Sequence, residues 1–580
     1  MENRQIAKIF AEIGELLELK GENVFKVRAY QRAAQNIDGL PQDVAALSDQ
    51  ELEEIPGIGK DLAAKIREYA ATGKVAKHEA LRKEFPAGVL ALLRVPGLGP
   101  KTVKMLAQER GIKDVDELAA LARAGKLAGL PGIQKKTEEN ILKGIELVRR
   151  GSERRPLGRV RPLAEEIVGR IRDASPVDRV EIAGSIRRWK ETVNDIDLLA
   201  TSRQPAQVMD AFVRLPQARR VLMHGETRSS ILADQDIQVD LRVVDEASFG
   251  AALQYFTGGK QHNIKLREMA LRAGLKVNEY GVFREPGEKR IAGNTEEGVY
   301  RALGLPLIPP ELREDTGEVE AAQSGRLPGL VEVGDIKGDL HIHTKWSDGS
   351  HDLDTIVRAA RQRGYRYIAV TDHTKGLGVA HGLDGARLAE QAGAIDGLNA
   401  QYKGFRVLKG TEVDIRSDGT LDLPDDVLAG LDIVVASVHS GFKQSREQIT
   451  KRLLAAVRHP YVSVIAHPTG RLIGERDGYA VDMEAVLKEA ARYGVAMEIN
   501  AYPLRLDLND SQIRMARRYG VSLAISTDAH VTTQLDTMVY GVAMARRGWA
   551  ERGDVLNARE YGPLREWLKS CRVKKAKGIR

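Results

Sequence analysis

The chain has 580 residues, with 88 Lys and Arg against 81 Asp and Glu and a formal net charge of +7. At roughly 100–200 residues per domain, that length predicts about three to five domains, and 43% hydrophobic with 29% charged residues is an ordinary globular balance. A single cysteine, Cys571, excludes a disulfide scaffold and any cysteine-based zinc site. The apolar runs Ile433–Val438 and Tyr461–Ala466 are too short to span a bilayer, and the start MENRQIAKIF has no apolar signal core. The expectation is a cytoplasmic, monomeric protein with no membrane partner. The basic excess points only weakly to a polyanion, because residues 1–330 carry 52 basic and 49 acidic side chains and residues 331–580 carry 36 and 32. Local motifs therefore carry the reading.

Residues 1–150 show helical periodicity and a weak repeat. Ile55-Pro-Gly-Ile-Gly-Lys60, Val95-Pro-Gly-Leu-Gly-Pro100 and Leu130-Pro-Gly-Ile-Gln134 share one pattern, and each precedes a helix-compatible run. Such a turn exposes backbone N–H groups at a helix N-terminus, where a phosphate oxygen is received without any base being read. Gly57, Gly59, Gly97 and Gly99 are the candidate DNA-backbone contacts; Gln134 breaks the third copy. The first two copies resemble the helix-hairpin-helix motif. Lys65 follows the first turn and is either a solvated helix lysine, which sequence alone favours, or a Schiff-base nucleophile.

The Arg-rich stretch Arg149–Arg161 reads as a link between domains or a phosphate-facing strip. Beyond it, strands and helices mix. Val180–Gly184 reads as a strand leading into Ser185-Ile-Arg-Arg188. In Asp195-Ile-Asp197-Leu198 the two aspartates project from one strand face while Ile196 and Leu198 occupy the other. In Ile237-Gln-Val-Asp-Leu-Arg-Val243 the strict alternation puts Asp240 on a polar strand face. Adjacent carboxylates repel unless a cation sits between them, and a hard divalent ion meets that need. Three strand aspartates can hold two metals for displacement at phosphorus. Gly184 and Ser185 open a turn that can donate to a triphosphate, with Arg188 as counter-charge.

These motifs, with Tyr255-Phe256-Thr257-Gly258, resemble the X family of DNA polymerases, of which polymerase beta is a familiar member. The resemblance covers about residues 1–310 and implies a nucleotidyltransferase palm. It makes Asp195, Asp197 and Asp240 catalytic metal ligands for Mg2+ or Mn2+, with Asp240 near the primer 3′-hydroxyl. It gives Ser185 and Arg188 the triphosphate, Tyr255, Phe256 and Gly258 the sugar pocket, and Asn263 and Arg267 the incoming base and the template. It places Lys65 at the Schiff-base position of a lyase domain, with Lys26 and Tyr30 near a 5′-phosphate pocket. Four positions depart from the family: Trp189 stands where glycine is common, Asn194 where polymerase beta has glycine, Asp61 where the lyase pocket has a lysine, and Lys260 where polymerase beta has an acid. Lys260 is thereby expected to add grip on the dNTP.

The stretch Gly304–Gly334, rich in Pro and Gly, reads as a linker with a short helix at most. From Gly338 onward, short β-branched runs alternate with helical stretches: Gly338–His343, Tyr367–His373, Arg406–Asp414, Asp432–His439, Val462–His467, Val495–Asn500 and Ser522–His530. Seven strands alternating with helices imply a parallel sheet closed into a barrel. Nine of the twelve histidines follow residue 340, and six of them end such runs. His341, His343, Asp348, His373, Glu412, His439, His467, Asp528 and His530 would converge at the C-terminal strand ends, where barrel active sites form. Nine N and O donors suit two to three zinc or manganese ions rather than calcium, and such clusters activate water and clamp phosphate. His351, His381 and His459 fit less well and read as surface or supporting residues, with His381 near substrate. The last twelve residues, with six basic side chains, read as a mobile basic tail.

Residues 335–575 resemble the polymerase-and-histidinol-phosphatase (PHP) family, and the resemblance implies a trinuclear site cutting phosphoesters. A family X core followed by a PHP domain is the layout of the bacterial branch of that family. The expected architecture is multidomain: an all-α helix-hairpin-helix region, an α+β palm and thumb, and an α/β PHP barrel of about seven parallel strands. The expected bounds are 1–80 lyase-like, 81–150 fingers-like, 151–245 palm, 246–315 thumb, 316–335 linker and 336–580 PHP domain with its tail. The expected function is gap-filling DNA synthesis in repair on gapped, nicked or primer–template DNA with dNTPs. Metal-dependent 3′–5′ exonuclease activity accompanies it, with AP endonuclease or 5′-dRP lyase as further activities. The competing readings are a metal-dependent phosphatase and a DNA-binding protein with an inactive palm.

Overall fold

The computed structural model turns the helical periodicity of the N-terminal stretch into helices and the β-branched runs after residue 338 into strands. It describes residues 2–576 except 39–43, 54, 56, 86–87, 94, 96–97, 128–129, 131–132, 134–137, 139–140, 143–144, 146–153, 287–288 and 377–379. The chain separates into two compact units. One comprises Met1–Arg154 with Pro216–His224 and Ser229–Val239; the other comprises Arg155–Leu215, Gly225–Arg228 and Asp240–Arg580.

In the first unit, the helices Glu2–Lys20 and Val24–Asp38 pack together, and one apolar cluster runs from Ile6 to Ile145. The three glycine turns share a backbone signature. Ile58 N donates to Ile55 O at 2.9 Å, Leu98 N to Val95 O at 3.0 Å and Ile133 N to Leu130 O at 2.9 Å. The first two turns lead into the helices Lys60–Thr72 and Pro100–Glu109, with Gly59 and Gly99 at the N-caps.

In the palm region five strands form a sheet: β1 (Arg179–Ile182), β2 (Asp195–Thr201), β3 (Arg220–His224), β4 (Arg228–Leu232) and β5 (Gln238–Val244), in the order β1-β2-β5-β4-β3. β1 and β2 run antiparallel, with Arg179 opposite Thr201 and Ile182 opposite Leu198. The helices Phe249–Thr257 and Lys260–Arg272 follow. A three-stranded antiparallel meander comes next, β6 (Leu275–Asn278), β7 (Gly281–Arg284) and β8 (Lys289–Ala292). The stretch beyond holds a short helix, Glu318–Gln323. Its Glu318 is fully buried against His262, and Asp315 N and Thr316 N also donate to its carboxylate.

The seven β-like runs all become strands: β9 (Gly338–Ile342), β10 (Tyr367–Val370), β11 (Arg406–Asp414), β12 (Ile433–Ser437), β13 (Val464–Ile465), β14 (Ala496–Asn500) and β15 (Leu523–Ser526). They pair in sequence order, every pair parallel. A parallel bridge between Ile342 and Ala529, with His343 N donating to Ala529 O at 2.9 Å, nearly closes the sheet into a barrel.

The basic C-terminus corrects one expectation. Residues 569–576 of the expected tail belong to the helix Tyr561–Ala576, and 577–580 lie outside the described residues. Leu564, Leu568 and Cys571 recur at helical spacing and are buried, so this stripe anchors the helix while the basic residues mask it in the sequence. Arg572 also donates to the carbonyls of Ala429 and Leu431.

Candidate functional site

The palm site is built by strand alternation. Along β5 the residues Val239, Leu241 and Val243 are buried, while Gln238, Asp240 and Arg242 are partly open. On β2 the buried Ile196 and Leu198 leave Asp195 and Asp197 on the opposite face. Burial, then the charges of Asp195 and Asp240, push the Asp197 carboxyl up to about 7 against the pull of Arg242 and Arg188. The charges of Asp195 and Asp240 thus act on Asp197, and carboxylates coupled in this way suit a divalent cation. Arg228 Nη2 lies 3.9 Å from Asp240 Oδ1. Gly184 is fixed by the same site: its φ is +61°, and a Cβ there would stand 2.2 Å from Asp197 Oδ2. No other residue both adopts this turn and leaves room for that carboxylate.

Ser185 stands half-buried beside Gly184 in the short helix Gly184–Arg187. Arg188 donates to Glu314 Oε1 (3.1 Å) and to the carbonyl of Thr257. Its Nη1 sits 3.1 Å from where a Cβ of Gly258 would be, so Gly258, with φ +72°, leaves the guanidinium its space. Tyr255 and Phe256 meet edge to face at 5.1 Å, with Arg267 over the Tyr255 ring and Arg242 over the Phe256 ring. Asn263 is buried and committed on both sides: its Nδ2 donates to Tyr255 O (2.7 Å) and its Oδ1 accepts from Gln254 Nε2 (2.8 Å). Lys260 is exposed at the first position of its helix.

In the N-terminal unit Gly57 has φ +86°, and a Cβ there would meet the Arg32 side chain at 3.0 Å. Nothing lies within 4 Å of a Cβ at Gly59 or Gly99, so the helix starts there are open. Gly97 lies outside the described residues. Lys65 Nζ is ion-paired with Asp61 Oδ1 at 2.5 Å and bonded to Asp61 O at 3.2 Å. Lys26 Nζ lies 3.7 Å from Glu22. Tyr30 is in the helical core, 2% exposed, with its ring edge-on to Phe10 at 5.7 Å.

The barrel brings its nine sequence-derived donors together at the C-terminal strand ends. Glu412, fully buried on β11, is the hub. Its Oε1 lies 3.3 Å from His439 Nε2 and 3.0 Å from His467 Nε2. Its Oε2 lies 2.8 Å from His373 Nδ1, 3.4 Å from His341 Nε2 and 3.5 Å from His343 Nε2. Asp528 Oδ1 is 3.2 Å from His343 and 3.6 Å from His341. Asp348 joins His343, His373 and His530 within 3.9 Å. Three groupings with donor atoms inside 4.8 Å result: His343–Asp348–His373–His530, His341–His343–Asp528 and His373–Glu412–His439. His467 and Asp528 both take left-handed φ, +28° and +55°, a strain that strand ends at functional sites tolerate.

Acids and imidazoles in the cluster shift one another strongly. Burial alone would raise Glu412 and Asp528, yet the imidazole charges around them hold both well below the carboxylate range. Burial would lower His439 and His530, yet Glu412 and Asp414 for the one, and Asp348 and Asp528 for the other, hold them up at about 9. His341 Nε2, both ring nitrogens of His343, His373 Nδ1, Glu412 Oε2 and His467 Nδ1 are buried without a hydrogen bond. Buried polar atoms are ordinarily satisfied, so lone pairs aimed at a common space fit divalent metals.

Sequence reading missed the groups that orient these donors. Glu498 Oε1 lies 2.7 Å from His341 Nδ1, and its Oε2 accepts from His467 N at 2.6 Å. Asn500 donates to Asp528 at 3.2 Å, and Arg505 lies 3.5 Å from the same carboxylate. An acid inside the apolar run Ala496–Asn500 was the available signal, since a buried carboxylate demands a partner. Among the weaker candidates, His459 pairs with Asp425 at 3.2 Å, and His381 is exposed, its carbonyl accepting from Arg387. His351 keeps a buried Nδ1 without a hydrogen bond.

No helix among the described residues is long and apolar enough to cross a membrane. Comparison with known proteins matches four family models: a helix-hairpin-helix domain over residues 1–75, a SAM-like helix-hairpin-helix tandem over 89–146, a DNA polymerase beta thumb over 252–314 and a PHP domain over 339–502. A probable phosphatase of Thermoanaerobacter sp. (strain X514) is 32% identical over 250 residues, 41% of this chain and 96% of that protein. One of Shewanella oneidensis is 31% identical over 210 residues, 34% of this chain and 77% of that protein. The DNA polymerase/3′-5′ exonuclease PolX of Bacillus subtilis (strain 168) is 42% identical over 573 residues, 98% of this chain and 100% of that protein. With both sites and this end-to-end match, the chain belongs to the PolX family.

Proposed function

We propose that the chain is a DNA-directed DNA polymerase of family X that fills short gaps, and that its barrel is a metal-dependent 3′–5′ exonuclease. The observation that carries this is the presence in one chain of a three-carboxylate palm and a nine-donor barrel mouth. Its substrates are dNTPs and gapped, nicked or primer–template DNA. The open helix starts at Gly59 and Gly99 receive backbone phosphates.

In the palm, Asp195, Asp197 and Asp240 would hold Mg2+ or Mn2+, which would supply charge neutralisation toward a triphosphate. Asp240 stands beside the primer 3′-hydroxyl. Gly184 and Ser185 donate to the triphosphate, and Arg188 faces its charge from a guanidinium oriented by Glu314 and Thr257. Tyr255, Phe256 and Gly258 bound the sugar. Asn263, held by Gln254 and the Tyr255 carbonyl, faces the incoming base, and Arg267 faces the template.

In the barrel the nine donors would hold two to three Zn2+ or Mn2+ ions, which would supply Lewis acidity toward a phosphodiester. Glu498 accepts a hydrogen bond from His341 Nδ1–H, which would leave Nε2 free to face a metal, and Asn500 donates to Asp528. Burial of the cluster keeps bulk water away from the buried donors.

The test is a labelled primer on a one-nucleotide gap, in manganese, with and without dNTP. Extension with dNTP and shortening without it is the expected result. Extension alone removes the nuclease assignment, and shortening alone removes the polymerase assignment.

A further inference from the structure

The segment Arg188–Glu191 leaves the palm's phosphate-facing turn and is tied at every residue. Arg188 and Lys190 share Glu314, at 3.1 Å and 3.7 Å. Most of the other ties come from the barrel domain. Arg547 ends the helix Met538–Arg547, and its side chain is 2% exposed. Its Nη1 donates to the main-chain carbonyl of Arg188 at 2.6 Å and to Glu314 Oε1 at 3.2 Å, while its Nη2 donates to Asp510. Trp189 meets Tyr540 of the same helix edge to face at 5.5 Å, with the Arg161 guanidinium 3.7 Å over its ring. Glu191 accepts from Arg471 at 2.8 Å. The departure at Trp189 thus has a physical reason: a left-handed φ of +55° is held by a ring that fills the space between Arg161 and Tyr540.

We propose that Arg547 is a positioning residue for nucleotide binding, through which the barrel domain fixes the direction of Arg188. This rests on the assignment of Arg188 to the triphosphate. Two effects converge on it. The bond to the Arg188 carbonyl pins the backbone from which that side chain starts. The bond to Glu314 divides one buried carboxylate among three cations; without Arg547 its charge falls on Arg188 and Lys190 alone and draws the guanidinium toward Glu314 and away from a dNTP. A planar guanidinium reaches the carbonyl, Glu314 and Asp510 at once, which one ammonium nitrogen does not do. The domains have other ties that leave Arg188–Glu191 untouched. Arg546 donates to Glu311 at 2.8 Å, and Trp549 packs on the thumb cluster. Docking and positioning are therefore separable by mutation.

The experiment uses the full chain, single-nucleotide insertion into a one-nucleotide gap with dNTP varied, and shortening of single-stranded DNA without dNTP. For Arg547→Gln the dNTP KM is expected to rise about tenfold, the worth of one lost charge-assisted hydrogen bond, with kcat changed less than about threefold. Arg547→Lys is expected to fall between it and the unaltered chain. Arg546→Gln is expected to leave the dNTP KM unchanged, and all three are expected to retain shortening. A dNTP KM unmoved in both Arg547 variants overturns the inference, as does parallel loss of both activities with a lowered Tm, which makes Arg547 a docking residue only. Insertion by the unaltered chain upholds the polymerase reading independently of either outcome.

Discussion

Asp195, Asp197 and Asp240 stand on two neighbouring strands and act on one another electrostatically, whereas the barrel donors arrive from strand exits spread between His341 and His530. The palm is a sparse, acidic site with an unbalanced charge: burial and its two neighbours push Asp197 up to about 7. The barrel is dense and nearly self-neutralised, with imidazoles holding Glu412 and Asp528 down and the acids holding His439 and His530 up. The difference is one of plan. The palm carboxylates lie on a partly open face of β2 and β5, while most of the barrel donors are buried. The two regions should therefore fail independently and in different ways.

The sharpest break of that comparison is a pair of deletions. Asp195→Ala should lower nucleotide insertion by about a thousandfold, the several kcal/mol of charge stabilisation a lost cation supplies, while primer shortening persists. His341→Ala should do the reverse. Gap extension and exonuclease assays on the same preparations decide it, and loss of both activities in either folded variant would merge the sites into one. Gly184→Ala comes next. Its methyl would press on Asp197 Oδ2 in a left-handed backbone, so synthesis should fall about a hundredfold with the exonuclease untouched.

How much of this was legible in the sequence differs between the same two regions. Strand alternation and strand exits are local, so the aspartates of β2 and β5 and all nine barrel donors could be named from short strings of residues. Glu498 could not, because a lone acid in an apolar run does not say which histidine it serves. The contact of Arg547 with Arg188 spans 359 residues of chain and depends on docking that no local pattern encodes. The Lys-rich C-terminus was misread because its charges hide a buried stripe of three residues, Leu564, Leu568 and Cys571. The glycine turns sit between these cases: their repeat was visible, and their shared hydrogen bond explains it.

Glu314 sharpens the comparison through pH. Burial would raise its carboxyl, but the charges of Lys190, Arg547 and Arg188 overcome that and hold it well below its ordinary 4.5. A depressed folded-state pKa contributes stability that is present above 4.5 and lost as pH falls toward the folded value. Glu314→Gln should therefore cost about 2 kcal/mol at pH 7, with the gap to the unaltered chain narrowing below 4.5. Chemical denaturation at the two pH values measures it; a gap that is constant with pH means Glu314 is not charge-paired in the folded state.

The smallest expected effect lies outside both sites. Lys65 Nζ is 2.5 Å from Asp61 Oδ1, a pair whose acid is 77% exposed, one helical turn away. An exposed i,i+4 pair is worth about 0.3–0.5 kcal/mol, so Lys65→Ala should change gap extension by less than about twofold. Were Lys65 a Schiff-base nucleophile, its Nζ would first have to leave the Asp61 carboxylate that holds it. Asp61→Asn should raise borohydride trapping of Lys65 on a 5′-deoxyribose phosphate end by about twofold over the unaltered chain. Trapping that is equal in the two proteins and survives Lys65→Ala would move the nucleophile to another amine.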